Sequence, residues 1–272
     1  MPSSPQFITV VLAFLASAAI GGAAYRARSL SASGAVAAAI GGTLSICAGW
    51  PWGLFLVVWF LYASAISQLG QRRKARHTAG IVAKGGRRDA GQVLANGGVF
   101  FGLAAIGIGA LTTGRMTLNE QLAIAAAASL VAAGADTTAT EVGTWWRGEP
   151  LSLRTWRRVP SGTSGAVSMP GTLAMLVAAA ALSGLASAAG LIPAQALWPV
   201  AMAGVVGAMV DTALGATLQV RRHCPACGED TEQPIHRCGA VTTINGGVAG
   251  LNNDVVNLLC TVAGALTAAG WM

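Results

Sequence analysis

The amino-acid sequence predicts an all-α fold: a polytopic transmembrane helix bundle of about eight spans, with both termini outside. Three observations predict it. The 272-residue chain is 54% hydrophobic and only 10% charged, with a mean hydropathy of +0.60; a soluble domain carries about 25% charged residues and needs a polar shell that this sequence lacks. Its apolar residues gather into runs of roughly the 20 residues that cross a bilayer as a helix. Its basic residues collect after every second run, as they do in the cytoplasmic loops of membrane proteins.

The runs are residues 7–25, 33–49, 51–68, 91–113, 120–141, 171–193, 195–218 and 250–270. The first follows "MPSSPQ", which has no Lys or Arg; a secretory signal needs a basic leader, so a retained helix is expected despite the cleavage-like "ASAA" at 16–19. The second is short and Gly-rich. Arg26 and Arg28 follow the first run; Arg72, Arg73, Lys74, Arg76, Lys84, Arg87 and Arg88 follow the third; Arg147, Arg154, Arg157 and Arg158 the fifth; Arg221, Arg222 and Arg237 the seventh. Of 17 basic residues, only Arg115 falls on the opposite side. A wrong span count would scramble this alternation. The net charge of +7 is thereby assigned to cytoplasmic loops rather than to nucleic-acid binding, and no nucleic-acid partner is expected. With 36 glycines, the helices have the small residues that permit close approach. Residues 1–272 read as one integral membrane domain, with a distinct cytoplasmic loop at 219–249. "LANGGVFFGL" (94–103) and "TINGGVAGLN" (243–252) echo each other, as do "GADTTAT" (134–140) and "GAMVDTALGAT" (207–217); duplication and chance similarity of Gly-rich stretches both explain this.

Five polar clusters interrupt the apolar runs, all at cytoplasmic ends. In "KGGRRDAGQVLANGG" (84–98), Asp89, Gln92 and Asn96 share a helical face behind Lys84, Arg87 and Arg88. Cations before a helix N-terminus suit a phosphate; they also suit a cytoplasmic anchor with an ordinary cap. In "GADTTATEVGT", Asp136, Thr137, Thr140, Glu141 and Thr144 cover an arc of about 140°. Asp136 lies 16 residues after Glu120, about 24 Å along the axis. "PSGTSGAVSMPGT" (160–172) offers Ser161, Gly162, Thr163, Ser164 and Gly165, whose backbone N–H groups can wrap an anion; an ordinary capped turn has the same composition, and no GxxxxGK[ST] motif is present. In "MVDTALGATLQ", Asp211 is 16 residues after Gln195, matching Asp136 in depth. "LNNDVVN" gathers Asn253, Asp254 and Asn257. Helix–helix hydrogen bonding would scatter polar residues at both depths; only Glu120 lies on the outer side. Carboxylates and amides hold Mg²⁺ together with substrate phosphates, and cations hold phosphate. That set fits phosphoryl or nucleotidyl transfer. No histidine and no Gly-x-Ser-x-Gly elbow accompanies it, which argues against a hydrolase.

Cys224, Cys227, His236 and Cys238 form C-x₂-C-x₈-H-x-C, enough for a closed tetrahedral zinc site. Unbound reduced thiols and a redox pair are the alternatives. Cys47 and Cys260 read as packing residues.

Taken in order from about residue 30 onward, "GRRDAGQVLANGG", "ADTTATEVG", "PSGTSGAVS", "DTALGATLQ", the C-x-x-C…H-x-C-G loop and "LNNDVVN" resemble the membrane family named for domain of unknown function 92, the transmembrane protein 19 family, whose plant members include the phytyl-phosphate kinase of tocopherol synthesis. The resemblance implies a membrane-embedded kinase that moves a phosphate from a nucleoside triphosphate, with CTP one candidate, to an isoprenyl monophosphate such as phytyl or geranylgeranyl phosphate. On this reading Asp136, Glu141, Asp211 and Asp254 are the catalytic acids and Mg²⁺ ligands. Lys84, Arg87 and Arg88 hold phosphate, residues 161–165 contact the nucleotide, and Asp89, Asn96, Asn253 and Asn257 complete a site on the cytoplasmic face (of the cytoplasmic membrane in a bacterium). The attacking phosphate is already ionised near pH 7, so no general base is required; an alcohol kinase would need one. A CTP-dependent prenol or lipid kinase, a cytidylyltransferase and a lipid-phosphate transporter are the alternatives. A transporter places its site near the bilayer midplane, whereas these acids sit to one side.

Overall fold

The structure, a computed structural model, describes residues 4–68, 86–146 and 148–271. Lys84 lies outside the described residues, as do Arg72, Arg73, Lys74, Arg76 and Arg147. Among the described residues there are eight α-helices: α1 (Ser4–Arg26), α2 (Ala32–Ala48), α3 (Trp50–Gln68), α4 (Ala90–Thr112), α5 (Met116–Trp145), α6 (Met169–Ala188), α7 (Leu197–Thr217) and α8 (Asn253–Ala269). Each matches one predicted run. Six are long and apolar enough to cross a membrane; α2 and α8, at 17 residues each, are shorter apolar helices. α5 is longer than expected, at 30 residues, and carries Glu141 and Thr144 within its last turns.

The caps explain several boundaries. Ser31, Asp89, Ser168 and Asn252 each accept a backbone N–H from the first turn of the following helix, satisfying donors a helix start leaves open. α5 is the hub. Its central stretch, Ala123 to Ala135, is buried without a break, and it packs against α3, α4, α6, α7 and α8. Small residues allow this. A Cβ at Gly134 would meet Leu182 at 2.3 Å, one at Gly204 would meet Val131 at 2.4 Å, and one at Gly264 would meet the Ala128 carbonyl at 2.9 Å. Polar ties sit between the helices: Trp59 Nε1 donates to the Leu130 carbonyl at 2.7 Å, and Thr261 Oγ1 lies 3.3 Å from the Ala95 carbonyl. The outward faces of α1 and α6 carry exposed Phe7, Leu12, Phe14, Leu173 and Val177, as helices bordered by lipid do.

The connecting segments depart from a purely helical fold. β1 (Leu151–Ser152) pairs antiparallel with β2 (Ala166–Val167), and β3 (Arg221–His223) is flanked by β4 (Asp230–Thr231) and β5 (Thr243–Gly246) in a small antiparallel sheet. The first sequence echo has no structural counterpart: residues 94–103 are helical in α4, whereas 243–252 form β5 and the turns before α8.

Candidate active site

Two loops close on the C-terminal end of α7. The β1–β2 pairing, Leu151 with Val167 and Ser152 with Ala166, folds residues 153–165 back as a loop. Gly165 has φ +71° and lies so close to α7 that a Cβ there would stand 2.1 Å from the Ala216 nitrogen. Gly247, at φ +76°, touches the Gln219 carbonyl in the same way, with a hypothetical Cβ at 2.0 Å. Only glycine fits both the left-handed backbone and the contact. Gly165→Ala is expected to cost about 1–3 kcal/mol of stability, read as a lower midpoint of thermal unfolding in detergent. Gly109→Ala, with nothing within 4 Å, should leave that midpoint unchanged or slightly raised.

Gln219, buried at 3% exposure, ties these loops together. Its Nε2 donates to Ser164 Oγ at 3.1 Å and to Glu232 Oε1 at 2.8 Å, and the Ser164 hydroxyl donates to the same carboxylate. Asp211, two turns up α7, lies within electrostatic reach of both Glu232 and Asp136. Cys260 of α8 is within reach of Asp136 and Asp211. Three carboxylates from α5, α7 and the 219–249 loop therefore share one half-buried region. Asp211 Oδ2 is buried there, and Ser161 Oγ in the loop between β1 and β2, each without a hydrogen-bond partner among the described residues. Like charges gathered with an open ligand atom suit a divalent cation, which prefers such oxygen donors.

The remaining predicted residues are spread more widely. Glu141 is half-buried and lies about 140° around α5 from Asp136. That is the side of Thr138, which accepts from the Tyr62 hydroxyl at 2.7 Å while donating to the Gly134 carbonyl. Asp254 is half-buried in the first turn of α8; Asn253 is exposed and Asn257 half-buried. The cap of α8 is Asn252. Asp89 is the N-cap of α4 in a reciprocal capping box with Gln92, the ordinary-cap alternative the sequence left open. Asn96 donates to the Gln92 carbonyl at 2.9 Å. Arg88 is half-buried; one terminal nitrogen donates to the Ala63 carbonyl at 3.1 Å and Ser67 Oγ at 2.8 Å at the end of α3. Burial lowers its pKa from the usual guanidinium value. Its backbone pairs with the α1–α2 turn, the Ser31 N–H donating to the Arg88 carbonyl at 2.9 Å. Arg87 is exposed and stands 5.8 Å from the centre of the Tyr25 ring, a cation–π distance.

Cys224, Cys227, His236 and Cys238 bring one ligand atom each to within 4.8 Å of one another. Cys224 and His236 are buried; Cys227 and Cys238 are exposed. His236 Nδ1 is 3.2 Å from Cys238 Sγ, and this contact leads in pulling the Cys238 thiol down to about 6. Glu229 Oε2 lies 3.2 Å from the other ring nitrogen, near where a metal-bound histidine commonly has a carboxylate. Four thiol and imidazole groups in this spacing fit a tetrahedral metal ion.

The family model described as integral membrane protein DUF92 matches residues 15–265. The chain belongs to this family. Protein PGR of Arabidopsis thaliana is 28% identical over 277 residues, covering 95% of this chain and 94% of the relative. An uncharacterized membrane protein of Synechocystis, sll0875, is 32% identical over 171 residues, 63% of this chain and 64% of that protein. Protein VTE6, chloroplastic, of Arabidopsis thaliana is 26% identical over 241 residues, and this chain spans 64% of its length. No solved structure is significantly similar.

In this DUF92 member, three polar residues of the region escape sequence reasoning. Glu232 sits among Glu229 and Asp230 and reads as one more solvated loop acid; its contacts with Gln219 and Ser164 set it apart. Arg154 and Arg221 read as inside-positive loop charges. They lie within electrostatic reach of each other, and Arg221 NH1 is buried without a hydrogen-bond partner among the described residues. Burial first, then the Arg154 charge, lowers the Arg221 pKa, and Asp230 opposes this.

Proposed function

We propose that this chain transfers the γ-phosphate of a nucleoside triphosphate, CTP among the candidates, to an isoprenyl monophosphate at a Mg²⁺-dependent site on the cytoplasmic face of the membrane. The observation that carries the reading is the pairing of Asp136 with Asp211 beside the Ser164–Gln219–Glu232 network, with Asp211 Oδ2 unpartnered. Membership of a family whose plant members include a phytyl-phosphate kinase supports the substrate class.

Asp136, Asp211 and Glu232 would hold Mg²⁺, which when bound neutralises charge on the bridging phosphates. Glu141 and Asp254 flank this group. Arg88, Arg87 and Lys84 would fix the lipid phosphate, and Ser161 to Gly165 with Arg154 and Arg221 would fix the nucleotide. Asp89, Asn96, Asn253 and Asn257 would shape the borders. An ionised oxygen of the lipid phosphate attacks the γ-phosphorus, that phosphorus–oxygen bond forms, and the bond to the β-phosphate oxygen breaks. The products are the isoprenyl diphosphate and a nucleoside diphosphate. Cys224, Cys227, His236 and Cys238 would hold a structural zinc, closed to substrate.

Product analysis tests this against the cytidylyltransferase reading. The kinase releases nucleoside diphosphate; a cytidylyltransferase releases pyrophosphate and leaves CDP on the lipid, and that outcome would overturn the proposal. Arg221→Gln should raise the KM for nucleotide by about 10-fold or more, the size of a lost charged hydrogen bond, with little change in KM for the lipid. Equal KM values for wild type and variant would remove Arg221 from the nucleotide site.

A further inference from the structure

A cavity of about 110 Å³ runs between α1, α2, α3 and α4 and reaches Thr137 of α5. Its walls are apolar along most of their length, with Ala24, Ala38, Leu56, Phe60 and Phe101 among them. Arg88, Gln92 and Asn96 line one end together with Thr137, the neighbour of Asp136, and Ser17 of α1 is the one further hydroxyl among the described lining residues. At the opposite end Ile46 of α2 and Gly53 of α3 line the cavity. A Cβ at Gly53 would lie 2.6 Å from Ile46 Cγ1, so the two helices are in contact there. From Gln92 to Phe101 the cavity follows α4 for about 13 Å. An apolar pocket with a few polar groups at its mouth orients an amphiphile. Arg88 suits an anionic head: among the described residues both of its side-chain bonds use one terminal nitrogen, and the guanidinium fork has further donors.

We propose that this cavity holds the isoprenyl tail of the lipid monophosphate inside the protein, with its phosphate at Arg88, and that the Ile46–Gly53 floor sets the accepted chain length. The proposal rests on the isoprenyl-phosphate reading above and deepens it. A tail held in the bilayer would not be measured by the enzyme; a tail held between helices is measured against the floor.

The test is binding without nucleotide, so it does not depend on turnover. Geranylgeranyl phosphate carrying a photoreactive group at the end of its tail is cross-linked to purified wild-type protein and the adducts are mapped. Labelling of α2 and α3 near Ile46 and Gly53 is expected; labelling confined to the outward faces of α1 and α6 would overturn the proposal. Affinities for geranyl and geranylgeranyl phosphate are then compared. Ala38→Phe should lower the ratio of geranylgeranyl to geranyl affinity by about 10-fold or more, and Ile46→Ala should move it toward longer tails, since pocket volume discriminates by roughly 10–200-fold per methylene-sized change. A ratio unchanged in both variants overturns the cavity while leaving the kinase reading to its own assay. A shifted ratio in a protein that forms no diphosphate upholds the cavity and sinks the kinase. Wild-type cross-linking needs no substitution, so a poorly folding variant does not block the decision.

Discussion

Asp136→Asn and Asp211→Asn are each expected to lower kcat by at least ~100-fold with the lipid KM little changed. Asparagine keeps the size and shape of the side chain, so α5 and α7 should pack as before. What is lost is the charge that holds the cation, and loss of even an outer-shell partner of a metal ligand costs about 10–100-fold. The double variant should be little worse than either single one, because residues acting as a unit are non-additive. Glu141→Gln, on another side of α5, should have a smaller effect. A second readout separates a metal site from a structural one. Asp211 lies within reach of both Asp136 and Glu232, and burying like charges without a counter-ion is costly. Without Mg²⁺, each Asn variant should therefore unfold at a higher temperature than wild type, and Mg²⁺ should stabilise only the wild type. A stabilised inactive protein is the usual exchange at a catalytic site. A variant that is both inactive and unstable would point to a structural role.

Cys224→Ser is expected to abolish activity by a different route. Cys224 is fully buried and its sulfur approaches Cys238 Sγ at 3.6 Å. Zinc binding to such small lobes supplies about 10–16 kcal/mol in peptide systems, more than a short three-stranded sheet supplies alone. Without it β3, β4 and β5 should lose their register, and Glu232 lies in sequence between β4 and His236 of the cluster. Gln219 and Ser164 would lose their shared acceptor. Purified wild type should carry about one zinc per chain, the number a Cys₃His set binds, and the variant should carry none and be cleaved within 219–249 by added protease. Wild type free of zinc, or a metal-free variant with full activity, would contradict this coupling.

The helices were legible because each is an apolar run, and four of them begin at a strong local signal: Ser31, Asp89, Ser168 and Asn252 cap their helices by ordinary side-chain chemistry. The zinc-type cluster was legible because its spacing is local. Residue counting puts Asp136 and Asp211 at matching distances along their helices, and the two lie within reach of each other. Lateral relations were not legible. Counting along a helix does not say that Arg88 is tied to the end of α3 or that Glu232 of the 219–249 loop lies within reach of Asp211. Those facts depend on which helices are neighbours and on loops that close through Gly165 and Gly247.

The proposed reaction moves the γ-phosphate of a nucleotide onto an isoprenyl monophosphate. It is measured on purified protein in liposomes, given geranylgeranyl or phytyl phosphate, Mg²⁺ and each nucleoside triphosphate in turn, labelled at the γ-phosphate. Label is expected in the isoprenyl diphosphate with at least one nucleotide, abolished by chelating Mg²⁺ and in Asp211→Asn. No labelled diphosphate with any nucleotide, or equal labelling by wild type and Asp211→Asn, would contradict it.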